Sequence, residues 1–238
     1  MTVRYRMAGG VATLRLDRPE ARNALNAAMC DELLRACSQA TVDDVKLVFV
    51  RANGPVFCAG ADTKERKGMD GARTLERRMK AFAAYAALEA LPMPSVAVVH
   101  GPAIGSGCEI AAACDFIVAT PEACFQTPEA LRGTVGATQR LAQALGIRFA
   151  KDMMFTGRRL QAAEAAGHGL VARVVEAARL EETLAEIAQA VTGAPQAALR
   201  LAKRVLDDAD RQRREQALRR EVEAIREQLA AGGGLGKP

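Results

Sequence analysis

The chain has 238 residues, half of them hydrophobic, and 33 Lys and Arg against 28 Asp and Glu give a formal charge of +5. That length allows one large domain with a sizeable core, and charges or prolines interrupt every apolar run before it could span a membrane. Six cysteines without a CxxC pair, only two histidines and 4% aromatic residues argue against a disulfide framework, a zinc site and a nucleic-acid track.

The opening residues, Met1–Arg6, alternate like a strand and lack the apolar stretch of a secretion signal, so the expected compartment is the cytoplasm. Residues 3–6 and 11–16 read as a hairpin across Gly9-Gly10. Asn23 or Asn26 can cap a helix that runs to about Ala40 and buries Met29, Leu33 and Leu34. Leu47–Val50 is a short apolar run, suited to a strand covered on both faces. Lys64–Gly71 is charged and glycine-bearing, as expected of a mobile loop over a site or, equally, of a solvated linker. Arg73–Leu91 has helical spacing, with Leu75, Met79, Phe82, Ala83 and Ala86 near one face.

Pro92 and Pro94 deliver the chain into Val96–Val99, a buried strand that precedes Gly101, Gly105 and Gly107. From Cys108 the residues are small and apolar, and Glu109 is the only charge between His100 and Asp115. A carboxylate in such a setting needs hydrogen-bond partners or takes a raised pKa, and either suits a site. Glu129 is a second such group, expected just inside a helix that Thr127 caps and Pro128 begins.

Phe116–Val118 reads as a further strand. Helices are expected from about Ala137 to Gly146, at Phe149–Met154 and at Ala162–Ala166, with a last strand at Leu170–Val175. Two more helices cover Ala177–Val191 and Pro195–Ala209. A charged one over Arg211–Leu229 carries the apolar stripe Leu218, Val222, Ile225 and Leu229, which needs a covering surface from this chain or another subunit. The order implies an α/β core over residues 1–190, a helical segment over 191–229 and a flexible tail over 230–238.

Two glycine-bearing turns, Cys58-Ala59-Gly60-Ala61-Asp62 and Gly101–Gly107, each follow apolar residues and can present backbone N–H groups at strand ends. Converging donors of this kind make an oxyanion hole for a thioester carbonyl that becomes enolate-like. Ordinary tight turns are the alternative. The GxxxxGK[ST] and dinucleotide-binding patterns are absent.

Taken together the chain resembles the crotonase superfamily of enoyl-CoA hydratases and isomerases. The likeness covers about Arg15 to Val175. It rests on Asp17–Leu25, Phe57–Asp62, His100–Glu109, Cys114-Asp115, Thr127-Pro128-Glu129 and Gly169-Leu170-Val171 in that order. It implies an α/β fold, a crotonase-like spiral of ββα units followed by a C-terminal helical segment, and an acyl-CoA thioester substrate. It further implies a homotrimer or homohexamer. No separate cofactor and no metal are implied, coenzyme A being part of the substrate.

By this resemblance the oxyanion hole would use the N–H groups of Ala61 and Ser106. Ser106 stands where the family usually has glycine, which narrows the pocket. Ala59 would lie beside the adenine, and Arg22 and Lys64 near the CoA phosphates, solvated surface charge being the alternative for those two. Glu109 and Glu129 fall where hydratases place their catalytic pair. Glu109 would orient and activate a water and Glu129 would exchange a proton at Cα, with the two roles coupled. The expected reaction is reversible hydration of a 2-enoyl-CoA. The alternatives are double-bond isomerisation, a cyclic or dienoyl-CoA hydratase, and an RNA-binding protein of the same fold using the Arg-rich stretch Arg211–Arg226. The segment after Gly133 is shorter than the usual hydratase version.

Overall fold

A computed structural model describes residues 1–231, apart from the side chains of residues 209–214. Gly9 and Gly10 turn the chain at φ +58° and +78°, a left-handed pair suited to a two-residue hairpin. Across them β1 (Val3–Ala8) and β2 (Val11–Leu16) pair antiparallel, Val3 opposite Leu16 and Ala8 opposite Val11, as expected. Asn26 caps α1 (Ala27–Val42), its Oδ1 accepting from the Met29 N–H at 2.9 Å. Asn23, the other candidate cap, is buried instead, and its Nδ2 donates to the Asn53 and Val56 carbonyls at 2.8 Å each.

The chain then winds as a spiral. After β3 (Leu47–Ala52) come α2 (Thr63–Arg66) and α3 (Gly71–Glu89). One turn gives β4 (Ser95–Val99), β5 (Pro102–Ile104) and α4 (Ser106–Ala112). The next gives β6 (Phe116–Ala119) and β7 (Cys124–Gln126). Then follow α5 (Arg140–Leu145), α6 (Ile147–Thr156), β8 (Leu160–Gln161), α7 (Ala162–Gly167), β9 (Arg173–Val174), α8 (Leu180–Gly193) and α9 (Gln196–Ala230).

The strands form a large sheet, in the order β1-β2-β3-β4-β6-β9, and a small sheet, β5-β7-β8; the turns that hold β4 and β6 give one strand to each. From β2 onward the large sheet is parallel. Alternate residues of its central strands face opposite ways, as the pleat requires. Leu47, Phe49, Val96 and Val98 meet Leu180, Leu184 and Ile187 of α8 on one face. Val48, Val50, Ala97 and Val99 belong to the larger core on the other.

Several expectations are corrected. The ββα units implied by the resemblance hold, but the residue pattern does not mark β5, β7 and β8 individually, because segments of two or three residues leave no periodicity to read. Lys64–Gly71 is not a bare loop: Asp62 Oδ1 accepts from the N–H groups of Lys64 and Glu65 at 3.0 and 3.2 Å and caps α2. The buried face of α3 carries Arg77, Ala81, Phe82, Ala84, Tyr85 and Leu88, whereas Met79, Ala83 and Ala86 are exposed. Of the expected stripe Phe82 is buried and Leu75 packs against the core, but the face is rotated from the one that spacing suggests, with Arg77 lying inward. Thr127 makes no side-chain cap, and Glu129 itself precedes a three-residue 3-10 turn, Ala130–Arg132.

The last strand is only Arg173–Val174. The two expected C-terminal helices are one, since no proline or glycine interrupts residues 196–230. The stripe on α9 is covered by this chain: Ile225 is fully buried, and Leu218, Val222 and Leu229 pack against the core. The expected flexible tail beyond residue 231 lies outside the described residues, as do the side chains of Arg211, Arg213 and Arg214. Asp115, just after α4, ties that helix end to the start of β4, its Oδ2 accepting from the Ser95 N–H at 2.7 Å.

Candidate active site

The two glycine-bearing turns are laced together. Cys58 N–H donates to the Pro102 carbonyl at 3.2 Å, and Ile104 N–H donates to the Cys58 carbonyl at 2.9 Å. Leu25 is tied to the first turn on both sides, its N–H donating to Gly60 at 2.8 Å and its carbonyl accepting from Asp62 at 2.9 Å. The packing leaves no room for side chains at the crossings. A Cβ on Gly107 would stand 2.4 Å from the Cys58 carbonyl oxygen, and one on Gly101 would stand 2.2 Å from that of Pro55. The N–H groups of Ala61 and Ser106 take no part in this lacing. Ser106 is the first residue of α4, and its side chain interacts with the buried Tyr85 hydroxyl.

Glu109 sits one turn into α4 and is 4% exposed. Its Oε2 accepts from Arg140 Nη1 at 2.5 Å, while Oε1 is buried without a partner among the described residues. Burial pushes its pKa up to about 7, opposed by Arg140 and reinforced by Glu221. Glu129 stands at the start of the 3-10 turn, held where its backbone carbonyl accepts from Arg132 and Thr134 at 3.0 Å each. Its Oε2 is likewise buried and unpartnered. Burial raises its pKa to about 7 as well, with Glu109 adding repulsion and its own backbone N–H opposing the shift.

Ala61, Ser106, Glu109 and Glu129 all line one small cavity of about 80 Å³, with Phe82 and Tyr85 from α3 among its apolar walls. An outer groove of about 720 Å³ is lined by Arg22, Ala59, Ala61, Lys64 and Arg132. Ala61, Arg66, Glu129 and Thr134 line both spaces and join them. Every residue singled out from the sequence as a site candidate therefore lies in this connected pair of spaces.

Sequence reasoning missed Arg140, Arg78, Tyr85 and Glu221. Arg140 clasps Glu89 with Nε and Nη2 at 2.8 Å each, besides holding Glu109, and so positions one of the two carboxylates. Glu221 of α9 turns inward, accepting from Thr138 at 2.5 Å and Gln139 at 3.0 Å. Nothing local marks either one, because their partners are 31 to 83 residues away.

The remaining polar candidates are structural. His100 Nε2 pairs with the Gly54 carbonyl at 2.7 Å, and the His168 ring lies 3.9 Å from that of Phe149. All six cysteines are free and buried, and burial pushes the Cys58 thiol up to about 12. Among the described residues, no group of three or more His, Cys, Asp or Glu could hold a metal ion.

A sequence profile describing enoyl-CoA hydratase/isomerase matches residues 6–231. The chain belongs to the enoyl-CoA hydratase/isomerase family. Family members act on acyl-CoA thioesters, and this member is a hydratase-like enzyme of the crotonase fold. It is 37% identical over 208 residues to an enoyl-CoA isomerase/hydratase of Mycosarcoma maydis, covering 82% of this chain and 76% of that one. It is 40% identical over 211 residues to the mitochondrial enoyl-CoA hydratase domain-containing protein 2 of mouse, covering 83% and 70%. The crystal structure of an enoyl-CoA hydratase/isomerase from Xanthobacter autotrophicus Py2 superposes with a TM-score of 0.91 at 32% identity, covering 100% of this chain and 89% of that one. Among the described residues, no helix is long and apolar enough to cross a membrane.

Proposed function

We propose that this family member catalyses the reversible addition of water to the double bond of a 2-enoyl-CoA. The carrying observation is that both glutamates line the same small cavity as Ala61 and Ser106, the two residues expected to offer N–H donors. The thioester carbonyl would accept from the N–H groups of Ala61 and Ser106, where the α4 amino end also favours developing negative charge. Glu109 and Glu129 would hold the water between them. Its oxygen bonds to Cβ, one of its protons passes to a carboxylate, and a carboxylic acid delivers a proton to Cα, so no atom is lost. Two carboxyls with pKa values near 7 and mutual repulsion suit one ionised and one protonated member at neutral pH.

In the outer groove, Arg22 and Lys64 would meet the CoA phosphates and Ala59 the adenine. The reaction needs no further cofactor. A homotrimer or homohexamer is part of the same proposal, supported by exposed Leu201, Val205 and Leu206 on the first half of α9. A cytoplasmic site rests on the sequence expectation alone.

The test is a screen of purified protein against short, long, branched and cyclic 2-enoyl-CoAs, monitoring loss of the conjugated thioester. Hydration of at least one series is expected. CoA esters that bind without being hydrated would overturn the proposal. Isomerisation needs one base only, so activity that survives Glu109→Gln but not Glu129→Gln would assign that reaction instead.

A further inference from the structure

The wall of the acyl cavity carries more positive charge than an aliphatic substrate would use. Arg66 of α2 and Arg77 and Arg78 of α3 all line it. Arg77 is fully engaged: Nε donates to Glu65 at 2.6 Å, Nη2 to the Leu25 carbonyl, and Nη1 approaches Cys30 Sγ at 3.4 Å. The other two are not. Among the described residues Arg78 donates only to neutral acceptors, the Val135 carbonyl and Thr134 Oγ1, and its Nε is buried without a partner there. Arg66 Nε is buried without a partner too, and among the described residues its side chain makes no hydrogen bond or ion pair.

These two guanidiniums also repel each other, and burial with that repulsion lowers the pKa of Arg78 to about 10. Among the described residues the carboxylates felt most by Arg78 are Glu221 and Glu129, and neither comes within ion-pair distance of it. Buried cations without counter-ions are costly in a low-dielectric setting, whereas a planar carboxylate placed between such forks gains charge-assisted hydrogen bonds. We propose that Arg66 and Arg78 form a carboxylate-binding subsite, and that the preferred substrate is a short 2-enoyl-CoA whose acyl group ends in a carboxylate.

The small cavity volume, about 80 Å³, selects a short tail. Phosphate binding is the competing use of such arginines. Arg66 lines both spaces, but Arg78 lines the inner cavity and not the outer groove, where Arg22, Lys64 and Arg132 offer further positive charge. The inference rests on the acyl-CoA reading of the site and adds the chemistry of the acyl end.

Binding of unreactive thioesters tests it without requiring turnover. Calorimetric titration of the intact protein with glutaryl-CoA, butyryl-CoA and free CoA should show glutaryl-CoA binding at least about tenfold more tightly than butyryl-CoA. Arg78→Gln should erase that preference, Arg66→Gln should weaken it, and Arg78→Lys should keep part of it. Free CoA affinity should not follow the Arg78 substitutions. Equal affinities for the two esters, or a preference that survives both glutamine variants, would overturn the subsite. So would a parallel loss of free CoA binding in the Arg78 variants, which would assign the arginine to phosphates. Circular dichroism identifies any variant that fails to fold, and the parent's preference is decisive without variants. Initial rates with the corresponding enoyl esters, glutaconyl-CoA and crotonyl-CoA, separate the two proposals. Crotonyl-CoA hydration without a carboxylate preference overturns only the subsite. Tight glutaryl-CoA binding with neither enoyl ester hydrated overturns only the hydratase reading.

Discussion

Arg140 Nη1 donates to Glu109 Oε2 at 2.5 Å while the rest of its fork grips both oxygens of Glu89 at 2.8 Å. Its guanidinium carbon also lies 5.4 Å from the centre of the Tyr85 ring, so stacking and ion pairing fix one orientation. The arginine therefore holds Oε2 and leaves Oε1 without a partner among the described residues. Arg140→Gln removes the charge opposing the burial of Glu109, so the pKa of Glu109 should rise above about 7. The alkaline shift of the limb of the pH–rate profile that requires ionised Glu109, together with a lower kcat at neutral pH, checks this. Loss of one partner from a buried pair commonly costs about 3–5 kcal/mol, so Tm should fall as well. An unmoved limb would detach Arg140 from the chemistry.

Glu129→Gln keeps the shape of the side chain and removes its proton transfer. General acid–base catalysis is commonly worth ~10²–10⁴ in rate, so kcat should drop by at least about a hundredfold with little change in CoA-ester affinity. Glu109→Gln should act in the same direction. The double variant should lose much less than the product of the two factors, because both groups serve one water. A Glu129→Gln enzyme that hydrates within about threefold of the parent rate would refute the mechanism.

Gly105 holds Glu129 in place by having no side chain. It sits at φ +50°, and a Cβ there would stand 2.1 Å from Glu129 Oε1. Gly105→Ala must displace that carboxylate and strain the entry to α4. A fall in kcat approaching that of Glu129→Gln is expected, and unchanged turnover would show that the carboxylate is free to move.

The raised carboxyl pKa values also make stability depend on pH. Both glutamates titrate near 7 in the fold against an ordinary 4.5, so the folded state binds more protons than the unfolded chain between those values. Their favourable contribution is full below about pH 4.5 and is lost as pH rises through about 7. Glu129→Gln removes one of the two groups. Thermal melts should find the variant gaining on the parent in Tm between pH 5 and pH 8, whereas parallel curves would contradict the burial of this carboxylate.

Ser106→Ala provides the contrast. The backbone N–H assigned to the carbonyl stays, and the change removes the hydroxyl's interaction with Tyr85. Steady-state rates should show kcat within a fewfold of the parent. A hundredfold loss would give the hydroxyl a catalytic role.

The sequence by itself determined the hairpin, the buried strands and the isolation of Glu109, because glycine pairs, short apolar runs and a lone charge among alanines are local signals. It also marked Glu129 and the two donor turns, through motif order. It did not determine that Ala61 and Ser106 share a cavity with both glutamates, since that depends on Cys58 and Gly107 packing backbone to backbone. Nor could it show which face of α3 turns inward, because Arg77 is made tolerable there by Glu65 and the Leu25 carbonyl, 12 and 52 residues away in sequence. The pairing of Arg140 with Glu109 and the placement of Arg66 and Arg78 on the wall of the small cavity belong to the same class. An arginine in sequence reads as a surface charge, and only the tertiary structure decides whether a carboxylate, a carbonyl or nothing stands opposite it.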